Sequence, residues 1–366
     1  MQRDPAAVAE GMTRWLRDRR GGSELDVTRC ERPAAGLSSE TLMLDVLDPE
    51  RSAEPERLVV RLAPSAAGIF PGYDLAVQAR AQEVAAAGGV PTAVPVDLET
   101  DPQWLGAPFL VMPAVAGHIP GSMPLRDPWV TESPEAAATV SRGLYDILAT
   151  LHRIDWRAVE LDRVVPSRDL DAELASWQRY LDWYGAGEVL VPALADALAW
   201  CTKHRPAHEP PPSFLWGDVR LGNIVFDDAR RPAAVLDWEM TSIGAAEHDL
   251  AWHLTLEATQ NELFGRSVPG FLDHDDACAH YEAQAGRSLV DLEWYEVFAM
   301  VRSIAIMTRL AYVQEQEGPQ PGASATPARQ SAGRDPRVVP PMLPIADNPL
   351  LDLLSRRIAT ANGGAR

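Results

Sequence analysis

Residues 214–226 read FLWGDVRLGNIVF, and residues 233–239 read AAVLDWE. The first stretch interrupts two good strand-formers with Asp218, Arg220 and Asn223 at close spacing, and the second runs into Asp237. The intervening DDARRP suits a hairpin turn, so pairing of the flanking runs would crowd all four polar residues around one small volume. An amide oxygen and one or two carboxylates suit Mg²⁺, which completes its shell with phosphate oxygens and water. A carboxylate not used on the metal can orient or deprotonate a hydroxyl, and Arg220 can neutralise phosphate charge. Phosphoryl transfer needs this set of parts. An ordinary β-hairpin with a polar turn satisfies the same spacing.

A chain of 366 residues with 46% hydrophobic composition can bury a large core, and its length favours two lobes over one. The 33 basic and 52 acidic residues leave a net charge of −19. That balance argues against nucleic acid and anionic membranes as partners and leaves cationic or neutral small molecules, although charge bears on solubility first. It is silent on oligomeric state. Three scattered cysteines (Cys30, Cys201, Cys278) form no CxxC pair, so neither a zinc site nor a disulfide framework is expected and a reducing cytoplasm fits. The opening MQRDPAAVAEGMTRWLRDRRGG is charged and helical in pattern, unlike a signal peptide. The longest apolar stretch, VFAMVRSIAIM, carries Arg302 and is too short to span a bilayer.

Strand-like runs occur at LDVTRCERP, TLMLDVLD and RLVVRLAP, followed by the helical YDLAVQARAQEVAAAGG and two further runs, TAVPVDLE and APFLVMPAVAG. An antiparallel sheet with one main helix is the economical reading of residues 1–112. From residue 117 the pattern turns helical. Ser133-Pro134-Glu135 is a helix start, and Val140, Leu144, Ile147, Leu148 and Leu151 then share one face. A second amphipathic segment aligns Leu170, Leu174, Trp177, Leu181 and Tyr184, whose aromatics read as core packing. Residues 318–345 are rich in Pro, Gly, Ala and Ser and read as an extended segment, followed by a short helix that docks back on the body.

Two features of the N-terminal half favour the phosphoryl-transfer reading. GLSSET lies between two strands, where Gly36 supplies a small turn and Ser38 and Ser39 add hydroxyls to the backbone N–H groups available for phosphate. Arg61 is a lone charge in the apolar run LVVRLAP, and such a group is expected to be paired or to face a ligand.

The order of small-residue turn, strand cation, helix, FLVMPAVAG, WGDVRLGN, VLDWE and GAAEHDLAW resembles the aminoglycoside phosphotransferase and choline kinase-like family, from about Gly36 to Trp252 and more weakly beyond. The likeness is strongest to its bacterial branch related to the kinase-like domain of acyl-CoA dehydrogenase-type proteins. It implies an α+β, protein kinase-like fold of two lobes: a nucleotide-binding lobe at 1–112, a hinge at 113–116, and a catalytic and substrate-binding lobe at 117–366. By the resemblance, ATP (with GTP as the alternative) and Mg²⁺ are the cofactors, and the partner is a small hydroxylated acceptor. Asp218 stands at the family's catalytic aspartate, Asn223 and Asp237 at its metal ligands, and Arg220 where protein kinases place a lysine near the transferred phosphate. Arg61 stands at the strand lysine, Met112, Pro113, Ala114 and Val115 match the adenine-binding hinge, and Asp249 matches an aspartate that braces the catalytic loop.

This sequence departs from the family pattern in three places. Trp216 replaces a common histidine, Arg61 replaces lysine, and Gln78 replaces the helix glutamate that pairs with it, with Glu83 a little over one turn further on. Arg61 is expected to reach phosphate or Glu83. The acceptor implied is aminoglycoside-like or another small hydroxylated molecule. The rival readings are a kinase of an endogenous amino alcohol, sugar or hydroxyacyl compound, and a nucleotide-binding regulatory module without turnover. His248 and His253 lack the spacing of a helical zinc pair, and DHDDACAH at 273–280 reads as a solvated acidic turn.

Overall fold

The computed structural model describes residues 3–33, 40–63, 68–121, 123–185, 192–317 and 349–363. Gly36, Ser38 and Ser39 of the small-residue turn, and the Pro/Gly-rich segment 318–345, lie outside the described residues. The chain opens with α1 (Pro5–Arg20), which starts where Asp4 accepts from the Ala6 N–H and Pro5 fills the first position. There follow β1 (Asp26–Glu31), β2 (Glu40–Leu47), β3 (Glu56–Leu62), α2 (Leu75–Ala87), β4 (Asp97–Glu99) and β5 (Phe109–Pro113). The five strands form one antiparallel sheet in the order β1-β2-β3-β5-β4.

Where one main helix is expected on this sheet, the structure has a helix on each face. Val8, Met12, Trp15 and Leu16 of α1 pack on Leu42, Leu44, Leu58, Val60, Leu62, Phe109 and Val111. Leu75 and Ala79 of α2 pack on Leu110 and Met112, with Val59 beside them. Side chains alternate across a strand, so Leu58, Val60 and Leu62 face α1 whereas Val59 and Arg61 face the other side. That parity turns Arg61 away from the α1 core.

The remainder is mostly helical: α3 (Pro134–His152), α4 (Leu170–Gly185), α5 (Pro192–Lys203), α6 (Glu247–Phe264), α7 (His274–Ala285), α8 (Leu292–Glu317) and α9 (Pro349–Gly363). Ser133 caps α3 by accepting from the Ala136 N–H, as the sequence predicts. The expected apolar faces of α3 and α4 meet in one core that also takes in Leu350, Leu353 and Leu354 of α9. Each such fully buried aliphatic or aromatic side chain contributes about 1.5–3 kcal/mol. Tyr180 of α4 and Arg309 of α8 bond to the main-chain oxygens of Ile69 and Gly68, tying the segment before α2 to the helical body.

Short strands β6 (Pro212–Leu215), β7 (Ile224–Phe226), β8 (Pro232–Val235) and β9 (Ser242–Ala245) lie between α5 and α6. DDARRP is the hairpin turn between β7 and β8, with Asp227 accepting from the Arg231 N–H. The run that carries Phe214 does not join that hairpin; it pairs with β9, Phe214 opposite Ile243. The expected acidic turn at 273–280 is instead the start of α7. Asp273 caps it, and Asp275 and Asp276 sit in its first turn, where the helix dipole favours negative charge. All three cysteines are free. Among the described residues no helix is long and apolar enough to cross a membrane.

Candidate active site

β6 ends at Leu215, and the chain turns through Trp216 and Gly217 to present Asp218. Gly217 has φ +97°, and a Cβ there would lie 2.3 Å from the Met240 oxygen, so the turn requires glycine. Asp249, 1% exposed on α6, holds the turn from below. Its carboxylate accepts from the main-chain N–H of Trp216 at 2.7 Å and of Gly217 at 2.9 Å. His152 Nε2 lies 3.2 Å from the same carboxylate, and His152 Nδ1 lies 2.8 Å from the Tyr281 hydroxyl. Asp249 thus ties the turn that carries Asp218 to α6 through two main-chain hydrogen bonds.

Both oxygens of Asp218 are engaged. Oδ2 accepts from Asn223 Nδ2 at 2.7 Å and Arg220 Nε at 2.9 Å, and Oδ1 accepts from the Trp252 indole N–H at 3.1 Å. Asn223 Nδ2 also donates to the Asp218 main-chain oxygen at 3.0 Å. The amide nitrogen is therefore committed to Asp218, and the carbonyl oxygen is the Asn223 atom left to meet a cation.

Asp237 lies two residues past the end of β8. The Leu236 N–H donates to the Asn223 main-chain oxygen at 2.8 Å, which brings Asp237 alongside Asn223. Asp237 has φ +62°, a left-handed conformation that costs a non-glycine residue free energy and is found mostly where function demands it. Arg220 feels the charges of Asp218, Asp237 and Glu239 together. Asp218, Arg220, Asn223 and Asp237 are thus gathered at one place, as their spacing suggests.

Arg61 reaches this cluster from β3. Its Nη2 donates to Asp237 Oδ1 at 2.9 Å and lies 3.8 Å from Glu239 Oε2. Burial works against the guanidinium charge, but Asp237 and Glu239 outweigh it and raise its pKa. The expected pairing with Glu83 does not occur. Glu83 points outward and pairs with Arg80 at 3.8 Å, while Gln78 is buried on α2 and the acidic partners come from AAVLDWE instead.

At the hinge, Met112 pairs with Val59 and the Ala114 N–H donates to the Arg57 oxygen at 2.9 Å. Backbone groups alternate across a strand edge, so the Pro113 C=O and Val115 N–H face away from β3. Of the four hinge residues, these two present the acceptor and donor that an adenine edge needs.

Three residues of this arrangement escape sequence reading. Glu239 ends the quoted run with no role that its spacing assigns, and His152 is one histidine in a helix. Trp252 carried a usable signal: it lies one turn after Asp249, so the two share a face of α6.

The donor set fits Mg²⁺. Among the described residues no group of three or more His, Cys, Asp or Glu side chains could hold a metal alone. Asn223 and Asp237 supply one amide oxygen and one carboxylate, which suits an ion that keeps several positions for phosphate and water.

A sequence profile of the phosphotransferase enzyme family matches residues 30–287. Acyl-CoA dehydrogenase family member 11 of Mus musculus is 32% identical over 173 residues, which are 46% of this chain and 21% of that protein. This chain therefore matches about a fifth of that relative's length. A Ralstonia eutropha JMP134 protein assigned to the aminoglycoside phosphotransferases superposes with a TM-score of 0.68 at 21% identity, over 96% of this chain and 98% of that one. The GDP and kanamycin complex of APH(2″)-IIIa superposes with a TM-score of 0.54 at 12% identity, over 95% and 98%. These likenesses show a shared kinase-like fold, and the profile match over most of the sequence shows that the chain belongs to the phosphotransferase enzyme family.

Proposed function

We propose that this protein transfers the γ-phosphate of Mg·ATP, with GTP as the alternative donor, to a hydroxyl of a small molecule. The observation that carries the reading is the division of labour around Asp218. Asn223, Arg220 and Trp252 hold its carboxylate by hydrogen bonds, while Asp237 stands apart in the loop after β8, paired with Arg61. Asn223 and Asp237 would hold Mg²⁺, which when bound offsets the charge of the β- and γ-phosphates. Arg61 would meet phosphate oxygens from β3, and the hinge groups of Pro113 and Val115 would meet the base. The nucleotide in the GDP complex of a neighbour with this fold supports a nucleotide site here.

Asp218 is left to receive the acceptor hydroxyl, aim its oxygen at the γ-phosphorus and take its proton. Arg220, bonded to that carboxylate, places positive charge beside the transferred group. Both lie in a loop fixed by Asp249, so their orientation is set before substrate arrives.

Asp218→Asn tests the assignment. Asparagine cannot take a proton, and with its oxygen kept toward Asn223 and Arg220 its amide meets the Trp252 N–H, donor to donor. Transfer is expected to fall by roughly 10²–10⁴-fold with Mg·ATP affinity within a fewfold of the parent. Turnover at the parental rate on a confirmed acceptor removes Asp218 from catalysis.

A further inference from the structure

Beside the catalytic loop, a cleft runs from Arg220 and Gly222 along α6 toward Phe271. Its starting point is the guanidinium bonded to Asp218. Leu221, Leu256, Val268 and Phe271 give it largely apolar walls. The apolar character continues outward. Leu263 and Phe264, at the end of α6, are 48% and 37% exposed, and Phe264 lies under Arg126, next to the wall residues Pro124 and Leu125.

Among the described residues the ionisable groups on the wall are few: Arg220, His253 and Glu257. Arg220 is bonded to Asp218. His253 Nε2 stands 3.5 Å from Glu257 Oε2, and burial pushes the histidine down to about 4, so it is neutral near pH 7. Burial also pushes Glu257 up to about 7, against the hydrogen bond from Asn261. A polycationic amino sugar needs several ionised carboxylates to replace its hydration, and this wall offers one that is reluctant to ionise.

We infer that this cleft is the acceptor site and that it takes a hydroxylated molecule with an apolar body and no cluster of positive charges, its polar end at Arg220 and its apolar part against Leu256, Val268 and Phe271. The inference rests on the kinase reading and narrows its acceptor class. The surface charge of −19 does not contradict it, because net charge acts over the whole molecule while recognition is decided by the wall.

The test uses the full chain with Mg·ATP and a series of straight-chain 1,2-diols from four to ten carbons, with kanamycin as the polycationic probe. Phosphate transfer is read by mass and by ADP release. The expected result is a kcat/KM that rises about three- to fourfold per methylene until the wall is covered, with kanamycin below the longer diols. Leu256→Glu, checked for folding by its melting temperature, should flatten the chain-length dependence. A rate indifferent to chain length, a flat response to Leu256→Glu, or preference for kanamycin overturns the inference. So does the absence of transfer to any diol; if Mg²⁺-dependent ATP binding then persists and is lost in Asp237→Ala, the kinase reading survives, and if it is absent both fall.

Discussion

Replacing Asp249 by asparagine changes one atom in a fully buried side chain, and the structure fixes what that atom meets. The carboxylate accepts three hydrogen bonds: from Trp216 N–H at 2.7 Å, from Gly217 N–H at 2.9 Å and from His152 Nε2 at 3.2 Å. An asparagine has one acceptor oxygen. Turned one way, its NH₂ group faces the Gly217 N–H; turned the other, it faces the Trp216 N–H. Either orientation sets donor against donor where no water can enter. Losing a hydrogen bond to a charged acceptor costs about 1.5–3 kcal/mol, and leaving the buried amide unsatisfied adds about 1–3 kcal/mol. The expected loss is therefore about 3–5 kcal/mol, read by urea unfolding of parent and variant extrapolated to water, and it is a large share of the 5–15 kcal/mol typical of a folded domain. The same bonds set the turn that carries Asp218, so turnover should fall at least about tenfold at temperatures where the variant is still folded. A variant within about 1 kcal/mol of the parent that keeps full turnover would show that Asp249 neither anchors the turn nor positions the aspartate.

Asp237→Ala should abolish the Mg²⁺ dependence of ATP binding, measured by calorimetry with metal and with chelator; parent affinities that already agree in the two conditions remove the metal assignment. Arg61→Met leaves Asp237 and Glu239 facing each other without their cation, and both stability and ATP affinity should drop, the former by on the order of 2 kcal/mol for a partly buried pair. Unchanged ATP affinity in that variant takes Arg61 out of the site. Burial raises the Glu257 pKa from 4.5 to about 7, so the folded state holds that proton more tightly than the unfolded chain, and the Glu257 contribution to stability falls as pH rises from about 4.5 to about 7. His253, pushed down from 6.5 to about 4, works the other way: between those values the unfolded chain binds its proton and the folded state does not, so its contribution to stability rises with pH and opposes the Glu257 slope. Ionising Glu257 costs at most about 3 kcal/mol, and Glu257→Gln should lose this part of the pH slope in urea melts at pH 5 and pH 8; an identical slope refutes it.

What could be read from the sequence was local, and what could not was the pairing of residues far apart in the chain. The strands β1–β3 and helices α2 and α3 announce themselves because a period of two or 3.6 and a capping residue are properties of a few neighbouring positions. The crowding of Asp218, Asn223 and Asp237 was legible for the same reason, since one hairpin spans them. Even there the neighbouring strand was misassigned. β6 pairs with β9, on the far side of Asp237, and nothing local distinguishes Ser242–Ala245 from any other short run of small residues. The second helix on the sheet was missed as packing, not as a helix: α1 reads as helical, but its docking face meets strands up to a hundred residues away. Arg61 shows the limit most sharply. Its apolar neighbours implied a partner, yet the acid that the sequence offered was Glu83 on α2, and the structure supplies Asp237 and Glu239 from the loop after β8, 176 and 178 residues on. Register explains the choice. Arg61 pairs with Leu110, one step past Val111 toward the hinge-distal end, and its side of the sheet looks onto the loop after β8 rather than along α2. The cation that the family resemblance assigns to phosphate is thus held by the proposed metal ligand before nucleotide arrives. In the proposed site, phosphate oxygens would compete with Asp237 for Arg61, while Mg²⁺ would compete with Arg61 for Asp237. The two exchanges offset one another when metal and nucleotide enter together, and either one alone leaves a charge uncompensated.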